Sequence, residues 1–149
     1  MKTSEHWDTV YRSKKPDAVS WYAPHLGESL DLIEQFCPDK TAAIVDIGGG
    51  ESTLVDDLLQ RGYLDVSVLD ISQAAIDFTR QRLAQKADMV NWHVGDVTQY
   101  NFGTKQFDVW HDRAVFHFLT EESDRQAYVE LVKQSVKTGG YGVVLHDSC

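Results

Sequence analysis

Ala42-Ala43-Ile44-Val45-Asp46-Ile47-Gly48-Gly49-Gly50-Glu51-Ser52 is the stretch that decides the fold of this chain. Its first half is a short apolar run, rich in β-branched residues and interrupted by one acid, which reads as a buried strand. Three glycines stop it at once. A helix follows, because Leu54, Val55, Leu58 and Leu59 share one face, Ser52 or Thr53 can cap it, and Gly62 ends it. The same alternation repeats outward. Val66 to Leu69 forms a second strand ending at Asp70, and Ser72 caps a helix that buries Ala75, Ile76, Thr79 and Leu83. Met89–Val94 and Phe107–Trp110 supply a third and a fourth strand. A helix over about Glu121–Lys137 buries Tyr128, Leu131, Val132 and Val136. Its acids lie at the start, its lysines at the end, and Gly139 follows. Tyr141–Leu145 is the fifth strand. Strands alternating with helices imply parallel strands, right-handed crossovers and helices on both faces: an α/β, doubly wound, mostly parallel sheet.

In such a sheet ligands bind beyond the carboxyl ends of the strands, where strand order reverses. Gly48, Gly49 and Gly50 stand there, and glycines let a ligand approach the backbone with no Cβ in the way. Asp70 closes the next strand, about 20 residues on, where a carboxylate can accept from both hydroxyls of a ribose. A pyrophosphate-bearing dinucleotide suits this loop poorly, since Asp46 and Glu51 bracket the glycines and repel phosphate, and Thr53 replaces the last glycine of the dinucleotide fingerprint. A cofactor carrying an ammonium and a sulfonium is favoured by the same acids.

Val45-Asp46-Ile47-Gly48-Gly49-Gly50-Glu51-Ser52 resembles the first motif of class I S-adenosylmethionine methyltransferases, with Ser52 in place of its third glycine. Asp70 resembles the acid of the second-strand motif, and Gly95-Asp96-Val97 the motif after it. Phe107-Asp108-Val109-Trp110-His111-Asp112-Arg113-Ala114-Val115-Phe116-His117 is similar to the fourth-strand motif of a bacterial subgroup, in which the pair Trp21-Tyr22 also recurs. The resemblance implies S-adenosylmethionine as cofactor. Asp46 and the backbone of Gly48, Gly49 and Gly50 would face its methionine part, Asp70 would hold its ribose, Asp96 would meet its adenine amino group with Val97 nearby, and Ile71 would be a further cofactor contact. It also implies a Rossmann-like sheet in the order 3-2-1-4-5-7-6. This chain reads only as far as 3-2-1-4-5, with the usual C-terminal hairpin absent, so strand five is expected at an edge, with either a homodimer paired through it or a short form that binds cofactor but turns over poorly.

The mouth of strand four is where the acceptor is expected, and His111, Asp112 and Arg113 are the candidate catalytic residues. Asp112 or His111 could take a proton from an amine or phenol, and Arg113 could clamp a carboxylate. The plainer alternative makes Asp-Arg a helix cap with a surface ion pair. His117, between Phe116 and Phe118, reads as a structural histidine. His111, Asp112, His117, His146 and Asp147 form no compact ligand motif, and no metal is expected. The acceptor stays open between a small molecule and a protein side chain.

The 149 residues suit one domain, with residues 1–38 as an aromatic, helical entry segment. Trp7, Val10 and Tyr11 lie at helical spacing there, and a helix over Glu28–Phe36 stops at Pro38. Trp21 and Tyr22 either cap one end of the sheet or close over the cofactor. With 42% hydrophobic and 25% charged residues the composition is globular. The net charge of −9 repels phosphate backbones and anionic lipid, so neither nucleic acid nor membrane is an expected partner. Cys37 and Cys149 lack metal-ligand spacing and read as reduced thiols of a cytoplasmic protein.

Overall fold

The computed structural model describes residues 20–22, 28–50, 52–112, 115–116 and 119–144, and only the backbone of 20–22. The expected helix around Trp7 to Tyr11, and the positions of Glu51, Arg113, His117, His146, Asp147 and Cys149, lie outside the described residues. In chain order the elements are β1 (Ser20–Tyr22), α1 (Ser29–Phe36), β2 (Ala43–Ile47), α2 (Leu54–Gln60), β3 (Asp65–Asp70), α3 (Gln73–Leu83), a 3₁₀ turn (Ala84–Met89), β4 (Val90–Val94), β5 (Phe107–Asp112), α4 (Glu122–Ser135) and β6 (Val136–Val144). The sheet runs β1-β6-β5-β2-β3-β4, and every neighbouring pair is parallel. Within it β4-β3-β2-β5-β6 is the expected 3-2-1-4-5 order.

β2 is central and all five of its residues are buried. Successive strand residues point to opposite faces, which assigns the helices. Ala43, Val45 and Ile47 join Trp110 and the Tyr128, Leu131 and Val132 face of α4. Ile44 joins Val66, Val68 and Val109 beneath Ile33 of α1, Val55 and Leu58 of α2, and Ile76 and Leu83 of α3. Ser72 caps α3 as its position suggests, its Oγ accepting from the Ala75 N–H at 3.1 Å. Ser52, not Thr53, supplies the hydroxyl at the start of α2, accepting from the Leu54 N–H at 3.0 Å.

Two expectations are corrected. Val136 does not close the last helix; it opens β6, which pairs with β5 from Phe107↔Val136 onward, and Gly139 lies inside that strand with φ 82°. Nor is strand five a bare edge. Ser20, Trp21 and Tyr22 run parallel to Tyr141, Gly142 and Val143, so the backbone groups from which a homodimer was expected already face the chain's own β1. A short run before α1 thus covers the outer side of β6. Among the described residues no helix is long and apolar enough to cross a membrane.

Candidate functional site

The carboxyl ends of β2, β3 and β4 open into a cleft of about 310 Å³, lined by Ile47, Gly48, Leu69, Asp70, Ile71, Gly95, Asp96, Val97, Val115 and Leu119. Five of the expected binding residues lie there together: Gly48, Asp70, Ile71, Asp96 and Val97.

The glycine turn is held tightly before any ligand arrives. Gly48 takes φ 73°, a value that L side chains rarely adopt, and its N–H donates to the Leu69 carbonyl at 2.7 Å, tying the turn to β3. A Cβ on Gly49 would lie 2.2 Å from Asp46 Oδ2, so the backbone rests directly on that carboxylate. Gly50 presses against Ala75 and Asp70 in the same way. From α3 the buried Thr79 hydroxyl donates to the Gly50 carbonyl, and Arg82, ion-paired with Asp56, reaches the Ser52 carbonyl at 3.3 Å. Thr79 reads in sequence as one more buried helix residue; that it tethers the loop is visible only in three dimensions.

Asp70 spans the mouth of the turn. Its Oδ2 accepts from the Gly50 N–H at 3.0 Å and its Oδ1 from the Ser72 N–H at 2.8 Å. Each carboxylate oxygen keeps a further lone pair for a ligand hydroxyl. Ile71 beside it is 71% exposed, an apolar side chain standing at the cleft rim. Asp96 uses Oδ1 to accept the Thr98 N–H at 2.9 Å and the Thr98 hydroxyl at 2.8 Å, which fixes the carboxylate in an Asx turn. The Tyr100 ring sits against Gly95 so closely that a Cβ there would meet it at 2.6 Å. That ring, held by His93 Nδ1 at 2.7 Å, sets where Asp96 and Val97 stand.

His111 and Asp112 do not form one constellation. Arg113 lies outside the described residues. His111 and Asp112 are consecutive on β5 and so face opposite sides of the sheet. His111 lies opposite Asp46 in the register, and its Nδ1 stands 2.9 Å from Asp46 Oδ1; both side chains are buried, at 2% and 0% exposure. Asp46 Oδ2 and His111 Nε2 are buried with no hydrogen-bond partner among the described residues. Asp112 belongs to the other face. It accepts from the Tyr128 hydroxyl and from the Val115 and Phe116 N–H groups, the last at 3.1 Å, while Trp110 Nε1–H donates to the Tyr128 hydroxyl at 2.9 Å. Asp112 therefore caps the turn that carries Val115 to the cleft, in line with the cap half of the plainer reading; its burial speaks against a surface ion pair. Val115 and Leu119 were not singled out in sequence, and only their place after strand four hinted at them.

Burial pushes the Asp112 carboxyl up to about 6, against the opposing pull of the Tyr128, Val115 and Phe116 hydrogen bonds. A folded-state value above the unfolded one means that its stabilising contribution is greatest in acid and is lost as pH rises through about 6. Asp112→Asn should remove that dependence. Denaturant titrations should show wild type gaining about 1 kcal/mol on the variant between pH 7 and pH 5. Parallel stability profiles for the two proteins would contradict the assignment.

Trp21 and Tyr22 enter this end of the molecule through their backbone: the register sets Tyr22 beside Val143, in the row that continues through His111 to Asp46. Among the described residues no group of three or more His, Cys, Asp or Glu side chains could hold a metal ion.

The profile of a family described as a methyltransferase domain matches residues 44–140, from β2 into β6. A curated relative, eEF1A lysine and N-terminal methyltransferase of Mus musculus, is 26% identical over 123 residues, which are 82% of this chain and 17% of that protein. EEF1A lysine methyltransferase 2 of Danio rerio is 22% identical over 97% of this chain and 68% of its own length. The chain thus spans about a sixth of the first of these relatives. Both are animal proteins, so the bacterial subgroup gains no support from them. Among solved structures, a TehB-like SAM-dependent methyltransferase from Corynebacterium glutamicum superposes with a TM-score of 0.67 at 19% identity, covering 95% of this chain and 68% of that one. SAM-bound CalS10, an amino pentose methyltransferase from Micromonospora echinaspora, gives 0.65 at 21% identity, covering 97% and 56%. At such identities the likeness is one of fold.

Proposed function

The chain belongs to the methyltransferase-domain family, and from that premise we propose that it binds S-adenosylmethionine and transfers its methyl group to an amine on a protein. The observation that carries the cofactor reading is the make-up of the cleft: Asp70 and Asp96, with Gly48, Ile71 and Val97, line one cavity at the strand ends. The residues fit the group. Asp70 offers lone pairs at ribose height, Ile71 and Val97 offer apolar surface to a purine, and Asp96 offers an acceptor to an exocyclic amine. Asp46, Asp70 and Asp96 place negative charge around this end of the sheet, which suits a cationic ligand and opposes a dinucleotide.

When bound, S-adenosylmethionine supplies a methyl group on a sulfonium, already a good leaving group. The protein then has to hold the acceptor in line and keep water out. Val115 and Leu119 wall the cleft beside β5, and Asp112 fixes their turn, so we assign Asp112 to positioning. Arg113 and the pair Trp21 and Tyr22 are proposed to face the acceptor and the methionine end. An amine acceptor is supported by the names of the relatives, both of which are lysine methyltransferases.

Calorimetry with S-adenosylmethionine, S-adenosylhomocysteine and NAD tests the cofactor. Binding of the first two and not of NAD is expected, and the reverse pattern ends the proposal. For the acceptor, a radiolabelled methyl group incubated with protein and cell extract should appear in the precipitated protein. Label confined to the small-molecule filtrate would point to a metabolite instead.

A further inference from the structure

The cleft explains the adenosine half of the ligand and leaves the buried pair of Asp46 and His111, on the opposite face of the sheet, without a task. Its hydrogen bonding is incomplete in one particular way. With Asp46 as a carboxylate, which can only accept, the hydrogen between the two must sit on His111 Nδ1. Asp46 Oδ2 is left as a buried acceptor with no donor among the described residues, and His111 Nε2 likewise has no partner among them. What complements an unpaired carboxylate oxygen is a cation with N–H groups. The unpaired oxygen lies directly under Gly49, on the turn that the methionine part of the cofactor is expected to follow.

We propose that His111 is a positioning residue: it grips Asp46 Oδ1 so that Oδ2 receives the α-ammonium of the cofactor's amino-acid tail. The inference rests on the cofactor assignment above and adds a residue to it. His111 is suited to the task because β5 and β2 set it opposite Asp46, and because the neighbouring titratable group on its own strand, Asp112, turns to the other face. No other charged side chain among the described residues bonds to either member of the pair. His111 touches no reacting atom in this scheme, and the methyl acceptor need not be known to test it.

The test compares two ligands that share adenosine and differ in the tail. S-adenosylhomocysteine carries the ammonium; methylthioadenosine does not. His111→Phe keeps a ring and removes the donor, whereas His111→Asn keeps an N–H near the Nδ1 position. Calorimetry should show His111→Phe losing at least tenfold affinity for S-adenosylhomocysteine while methylthioadenosine binds within twofold of wild type. His111→Asn should recover most of the loss. Equal weakening of both ligands, or no weakening of either, overturns the proposal, and if His111→Phe does not fold, an S-adenosylhomocysteine-specific effect of His111→Gln, whose N–H reaches elsewhere, decides instead. Wild-type protein that binds neither ligand defeats the cofactor reading itself, a result distinct from the others.

Discussion

Asp70→Ala should weaken S-adenosylhomocysteine roughly a hundredfold, and methylthioadenosine by the same factor. Both ligands carry the ribose, and a charge-assisted hydrogen bond to it is worth about 1.5–3 kcal/mol. The carboxylate has a second task, since it also holds the Gly50 and Ser72 N–H groups. Removing it frees the turn as well as the ligand, so the loss should exceed that of Asp70→Asn, which keeps one acceptor. Calorimetry alongside thermal melts separates the two parts. Unchanged affinity in a folded Asp70→Ala protein would remove the ribose assignment. The equal loss for both ligands sets this residue apart from His111, whose effect should depend on the tail.

Gly49→Ala is expected to cost about 3–5 kcal/mol of stability and to abolish cofactor binding, although it adds a single methyl group. The new Cβ would stand 2.2 Å from Asp46 Oδ2, far inside van der Waals contact. The collision has two ways out. Either the carboxylate swings away from His111, leaving a buried charge without its partner, which costs about that much; or the turn lifts, breaking the bonds from Leu69, Asp70 and Thr79 that hold it. Urea unfolding of the variant measures the first quantity directly. A Gly49→Ala protein as stable as wild type would mean that the turn does not rest on Asp46 as described.

The parts of the molecule that sequence made legible are those whose signal is local. The glycine run, Asp70 at the end of the next strand, and the Ser72 cap each depend on neighbours a few residues away, and each stands where it was expected. What escaped depends on partners far along the chain. Ser20–Tyr22 is too short to show a period, and its reason for being a strand is Tyr141–Val143. Val136 suits a helix face and a strand start equally well, and no turn residue separates the two. His111 and Asp112 looked like partners because they are adjacent, yet adjacency in a strand is what sends side chains apart. Thr79 and Asp46 were placed correctly in their elements, but what each one holds could not be read from either.

The pairing of β1 with β6 also bears on how the molecule is made. β2, β3 and β4 with α2 and α3 are close in sequence, and such local contacts form early at small entropic cost. β1 is made before all of them, yet its strand neighbour among the described residues, β6, is made after all of them. Its three residues must therefore wait for β6 through the synthesis of everything between, so that among the described strands the earliest made is paired last.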